Sequence, residues 1–185
     1  MTVRLPCASG QLASNIGWCR PRTGSGGHMT VYHVDGLTRI LDYAEVNPNR
    51  YGSDPCKLAY MLATVFHETG AACIPLREGG GEDYLRSKPY YPWVGEGLVQ
   101  VTWETNARKF GAIKLGECMS WPIALRALFD GMMLGSFTGR KLGDYFSNPH
   151  ACDPVGARRI INGLDRAATI SQYHQTFVRA LAPKT

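Results

Sequence analysis

Four carboxyl side chains between residues 68 and 83 carry the strongest chemical signal in the 185-residue sequence. Glu68 closes the apolar run LAYMLATVFHE, and Glu78, Glu82 and Asp83 follow on a stretch containing Gly79, Gly80 and Gly81. On a helix, Glu68 shares a face with Met61, Thr64 and Val65. A carboxyl group beside such a wall loses hydration, which disfavours its charged form, and the partial negative charge of a helix C-terminus acts the same way. Glu68 is therefore expected to hold a proton and donate it. The competing reading is that Glu68 pairs with a nearby arginine or with loop backbone. A glycine-rich loop can fold back to bring a second, better solvated carboxylate near the helix end. Two carboxyl groups in unequal surroundings are what hydrolysis of a glycosidic bond needs, one to protonate the leaving oxygen and one to activate water.

The helix bearing Glu68 is expected at about 55–69. Ser53 or Asp54 is suited to cap it, Pro55 to open it and Gly70 to end it, and its nearly all-round apolar surface places it in the core. Residues 35–45 place Leu37, Ile40 and Leu41 at helical spacing, and 121–136 place Leu125, Leu128, Phe129, Met132 and Met133 in one stripe that reads as core. Asp153 and Pro154 suggest a helix over 154–162, and Asp165 suggests the cap of a last helix running to about Leu181.

Residues 71–103 break this pattern. Pro75, Pro89, Pro92 and the three glycines forbid a long helix, while Tyr84, Tyr90, Tyr91, Trp93 and Trp103 cluster there. LVQVTW alternates as a short strand would, placing Gln100 and Thr102 on one face. The aromatic rings, Tyr91 among them, offer flat faces for sugars, and Gln100, Thr102 and Asn106 offer hydrogen bonds to hydroxyl and acetamido groups. For Trp103, followed by the helix-like ETNARKF, core packing is the preferred reading. The expected fold is mainly α, with a small irregular loop-and-hairpin lobe set against helices.

Composition narrows the function classes. Lys and Arg number 20 against 15 Asp and Glu, giving +5, which favours anionic partners. Arg158 and Arg159 are one of the few basic pairs, and no nucleic-acid-binding pattern accompanies them, so no nucleic acid is expected as partner. His67-Glu68 does not extend to H-E-x-x-H because position 71 is Ala, no P-loop or G-x-S-x-G occurs, and six cysteines without C-x-x-C argue against zinc. A cysteine nucleophile lacks a local signature. Neither metal nor cofactor is expected. The cysteines are read either as disulfides of open connectivity or as buried thiols. With no run of 18 uncharged apolar residues, stable membrane insertion is not expected. Residues 1–28 end in TGSGGHM and read as an extension or linker before a catalytic domain at 29–185; they lack the apolar stretch of a secretory signal.

The blocks LAYMLATVFHETG, IPLRE, GEGLVQVTWETN and GARRIINGLDRAATISQYHQTF, in order over about residues 33–181, resemble glycoside hydrolase family 19, most closely its bacteriophage endolysin branch, relatives of the plant chitinases. The resemblance implies a lysozyme-like two-lobed helical fold and hydrolysis with inversion. It gives Glu68 the role of general acid and Glu78 that of second carboxylate, with Thr102 helping to hold the attacking water. Gln100, Asn106 and Asn162 match polar cleft positions. One departure bears on the site: the family has G-R-G where this chain reads Gly95-Glu96-Gly97, reversing a charge beside the cleft, so Glu96 joins Glu82 as a competitor for the second role. Ala107 stands where many relatives carry an aromatic residue.

The implied activity is cleavage of the β-1,4 glycan strands of peptidoglycan by a monomer. It would be made in the host cytoplasm, reach the wall through a separate pore protein, and act in the periplasm or wall. A chitinase, a secreted muramidase-like toxin effector and a catalytically silent glycan-binding module are the alternatives.

Overall fold

The computed structural model describes residues 31–48, 54–148 and 151–182; the expected extension at 1–28 lies outside them. The architecture is mainly helical. In chain order it comprises α1 (Val31–Val46), α2 (Pro55–Glu68), β1 (Leu76–Arg77), α3 (Glu82–Arg86), β2 (Glu96–Gly97) and α4 (Glu104–Lys109). A 3-10 turn at Glu117–Met119 leads into α5 (Trp121–Leu134), α6 (Leu142–Tyr145), β3 (Phe146–Asn148) and β4 (Ala151–Cys152). A second 3-10 turn at Gly156–Ile160 precedes α7 (Ala167–Leu181). Among the described residues no helix is long and apolar enough to cross a membrane.

α2 is the centre of the fold. Asp54 caps it, its side chain accepting from the backbone N–H groups of Cys56 and Lys57, and Pro55 fills the first position, where the missing N–H costs nothing. Every residue from Leu58 to Val65 is buried. α7 runs along this helix, with Phe66 meeting Tyr173 edge-on at 4.9 Å and Phe177 at 6.1 Å. α5 contributes Leu128, Phe129 and Met132, and α1 contributes Leu37, Ile40 and Leu41, all buried in the same core. Each fully buried Leu or Phe stabilises the fold by about 1.5–3 kcal/mol. At the exit of α2, Thr69 donates to Val65 O, Gly70 is left-handed (φ 56°), and the chain turns so tightly that a Cβ on Gly36 of α1 would overlap the Cys73 carbonyl.

Four expectations are corrected. LVQVTW is a turn: β2 is only Glu96–Gly97, antiparallel to β1, and residues 98–100 double back so that Val101 bridges Glu96. Gln100 adopts φ 52°, so Gln100 and Thr102 do not alternate along a strand. Trp103 is not core but 46% exposed, because its own φ of 69° turns the ring out at the start of α4. The 154–162 segment makes a 3-10 turn, tightened by the Gly156 N–H donating to Asp153 Oδ1 at 2.8 Å. Asp165 does not cap α7. Left-handed Arg166 holds that position without a side-chain hydrogen bond.

Candidate functional site

Glu68 is the last residue of α2, and its side chain is 16% exposed. Met61, Thr64 and Val65 are buried behind it, as the helical spacing requires. The wall is closed by a charge: Arg158, only 4% exposed, places Nη1 2.6 Å from Glu68 Oε1. Arg158 is fixed in turn by donating from Nε to Asp165 O at 3.1 Å. The arginine comes from the 3-10 turn, whose Gly156 leaves no room for a Cβ beside Asp153. Of the two readings the sequence leaves open for Glu68, an arginine partner is therefore present, and the apolar wall stands with it. His67 is half-buried, and burial holds its imidazole below the usual 6.5 against the opposing pull of Glu68.

Glu78 follows β1 and is held by the hairpin. Its Oε2 accepts from Gly95 N at 2.9 Å and its Oε1 from Tyr90 Oη at 2.9 Å. Burial, then the Glu78 hydrogen bond, pushes the Tyr90 phenol up to about 12, so the hydroxyl stays protonated and donates. A Cβ on Gly95 would sit 2.8 Å from Gln100 Oε1 and 3.3 Å from Glu78 Oε2, so the glycine is what lets backbone approach this carboxylate. Gln100 Nε2 donates to Leu76 O at 3.0 Å and Gly97 O at 3.4 Å, tying the turn to β1. Thr102 is half-buried between the Val101 bridge and Trp103, whose N–H donates to Trp93 O.

The remaining candidates divide. Tyr91 is exposed and donates to Glu82 Oε1 at 3.0 Å, and Arg86 and Arg77 flank the same carboxylate at 3.6 and 3.7 Å. Glu96 is buried; its carboxylate takes backbone hydrogen bonds from Gly116 and Cys118, and burial raises its pKa despite Arg77. Glu96 therefore faces the 116–118 segment, and its contacts are separate from the hydrogen bonds that hold Glu78. Asn106 is half-buried on α4 and accepts from Lys109 Nζ at 2.9 Å. Asn162 is exposed just past the Arg158 turn and accepts from Gly163 N.

The candidates therefore fall into two clusters, Glu68 with His67, Arg158 and Asn162, and Glu78 with Tyr90, Gly95 and Gln100. Tyr91, Trp103 and Tyr84 expose their rings near the second. Among the described residues the five non-glycine positions with positive φ border these clusters. Ala71 and Cys73 leave Glu68, Gln100 and Trp103 flank Thr102, and Arg166 follows the carbonyl that holds Arg158. Backbone of this kind costs about 1–3 kcal/mol per residue and collects at functional sites.

Arg158 and Tyr90 are the residues sequence reasoning missed as site members. Arg158 shares its setting between Ala157 and Ile160 with Arg159, which is exposed, so the sequence carries no local signal for which of the two is buried. No group of three or more His, Cys, Asp or Glu able to hold a metal ion occurs among the described residues. Comparison of the chain with protein-family models, with curated proteins and with solved structures finds no match in any of the three.

Proposed function

We propose that the protein is a peptidoglycan-degrading endolysin of the glycoside hydrolase family 19 type, with a lysozyme-like two-lobed arrangement, cutting β-1,4 glycosidic bonds with inversion. The observation that carries this reading is the contrast between two carboxylates. Glu68 sits at the dry end of a core helix with Arg158 on Oε1, and Glu78 sits on a hairpin beside exposed tyrosine and tryptophan rings. Because Arg158 occupies Oε1, Oε2 is the atom of Glu68 that protonates the glycosidic oxygen. The guanidinium then stabilises the carboxylate left behind. Glu78 and Thr102 orient a water towards the anomeric carbon, with Tyr90 and Gly95 fixing the Glu78 carboxylate. Tyr91 and Trp103 supply faces for sugar rings, and Gln100, Asn106 and Asn162 line the cleft. The net charge of +5 suits an anionic wall. In this reading the protein is a monomer made in the host cytoplasm and reaches the wall through a separate pore protein.

One observation favours a second reading. Both oxygens of Glu78 already accept hydrogen bonds, as they would in a glycan-binding module without turnover. Mass spectrometry of digested peptidoglycan separates the two: new reducing sugar ends are expected, with chitin oligomers the poorer substrate. Released peptides, or tight retention on the wall with no new ends, would overturn the hydrolase.

A further inference from the structure

Away from the candidate cleft, at the opposite end of α2, three groups of matching chemistry meet. Cys56, in the first turn of α2, places Sγ 2.8 Å from Sγ of Cys152 in β4, although 96 residues separate them in the chain. No disulfide joins them, and a bond of about 2.05 Å would need the two sulfurs to close by less than about 1 Å. His174 of α7 stands at the same point, its Nε2 3.1 Å from Cys56 O and 3.5 Å from Cys56 Sγ. A carbonyl only accepts, so Nε2 carries the proton, and the sulfur faces an N–H. His174 Nδ1 is buried with no hydrogen-bond partner.

We propose that Cys56 and Cys152 are a dithiol that closes to a disulfide when the protein meets a disulfide donor, clamping β4 to the start of α2. The two thiols are unequally placed, and this orders the exchange. Cys152 is exposed, so its thiolate attacks one sulfur of the donor R–S–S–R, forming a mixed disulfide and releasing RS⁻. Cys56 is half-buried, and burial, then the hydrogen bond to Cys152, pushes its thiol up to about 12. The Cys152 contribution vanishes once that sulfur is in the mixed disulfide. The Cys56 thiolate, stabilised by the His174 N–H, then attacks Cys152 Sγ, forming the intramolecular bond and releasing the second RS⁻. Two thiol protons and two electrons pass to the donor, which leaves as two RSH.

The clamp acts on the elements that carry the Glu68 cluster. Cys56 and Glu68 lie at the two ends of α2, and β4 runs through Asp153 into the turn bearing Arg158. Disulfide 56–152 and ion pair 68–158 are therefore two ties between the same segments. Only the timing of closure, on passage from a reducing cytoplasm to an oxidising wall compartment, rests on the endolysin reading.

The test uses the reduced full chain exposed to oxidised glutathione, alkylated and mapped by peptide mass spectrometry, with thermal unfolding in parallel and Cys152→Ser as control. The expected result is a Cys56–Cys152 linked peptide pair two hydrogens lighter than its thiols and an unfolding midpoint about 5–10 °C higher. Both changes should be absent in Cys152→Ser. Recovery of both cysteines as alkylated thiols after oxidation, or an equal rise in Cys152→Ser, overturns the proposal. The readout needs no substrate, so a protein that fails to cut glycans can still form the bond, and one that cuts them can fail to.

Discussion

Glu68 stands on a helix buried over most of its length and capped at its start, whereas Glu78 stands just past a two-residue strand, its carboxylate held by a phenol and a glycine N–H and the strand by a turn glutamine. The first position is held by apolar packing from α7, α5 and α1, in which many side chains share the work and one buried arginine answers one carboxylate. The second is held by single hydrogen bonds, with left-handed residues on either side of Thr102. Packing of the first kind resists displacement, and strain of the second kind can be released locally. The two carboxylates should therefore fail in different ways. Damage around Glu68 should appear as lost stability, and damage around Glu78 as lost alignment in a protein that still folds.

The largest effect is expected from removing the arginine opposite Glu68. Arg158→Leu leaves the Glu68 carboxyl without its hydrogen-bond partner at a site where the pair is 4% and 16% exposed, and it should destabilise the fold by about 1–3 kcal/mol in urea unfolding. Adding Glu68→Gln to Arg158→Leu should recover part of that loss. A single-variant cost below about 1 kcal/mol would mean that the pair is solvated in solution and the contrast false.

The two regions respond to acid and base with opposite sign. Burial holds His67 and His174 below 6.5, so the unfolded chain binds the extra protons. Their stability is complete above 6.5 and is lost as pH falls below it. Burial raises Glu96 above 4.5, so the folded state binds its proton more tightly, and that stability is present below 4.5 and lost as pH rises through the raised value. Urea midpoints from pH 4 to 8 should show His174→Gln flattening the acid-side fall. Glu96→Gln should raise the midpoint at pH 7 and leave it nearly unchanged at pH 4. An unaltered acid-side slope in His174→Gln would remove that histidine from the helical half's response.

The smallest stability effect belongs to Trp103, whose ring is exposed and touches Tyr90 edge-on at 5.9 Å. Trp103→Ala should change unfolding by no more than about 0.5 kcal/mol while lowering retention on insoluble peptidoglycan several-fold. Equal retention would remove Trp103 from glycan binding, and a loss of stability typical of a core tryptophan would place its ring in the packing.

Sequence reasoning reads the helical half well because its signals are local. Asp54, Pro55 and Gly70 mark the ends of α2, and the apolar stripes of α1 and α5 repeat at helical spacing. It reads the hairpin region poorly because what shapes that region is not periodic. The alternation of LVQVTW is a true pattern, but positive φ at Gln100 and Trp103 overrides it and turns the tryptophan outward. Asp165 has the right side chain for a cap, but the helix begins later, at Ala167, with left-handed Arg166 in the cap position, and Asp165 gives its backbone carbonyl to Arg158. The carboxylates themselves are legible from residue type and placement. Their partners are not, since Arg158 lies 90 residues beyond Glu68 and Tyr90 meets Glu78 only through the fold.

The most direct test of the central claim, that Glu68 donates the proton that breaks the glycosidic bond, is the rate of new reducing ends from purified peptidoglycan with Glu68→Gln. Glutamine keeps a side-chain oxygen for Arg158 but has no carboxyl proton to give. The variant is expected to fold, with unchanged circular dichroism, and to turn over ~10²- to 10⁴-fold more slowly than the unmodified chain. A folded Glu68→Gln protein releasing reducing ends at the unmodified rate would contradict the account.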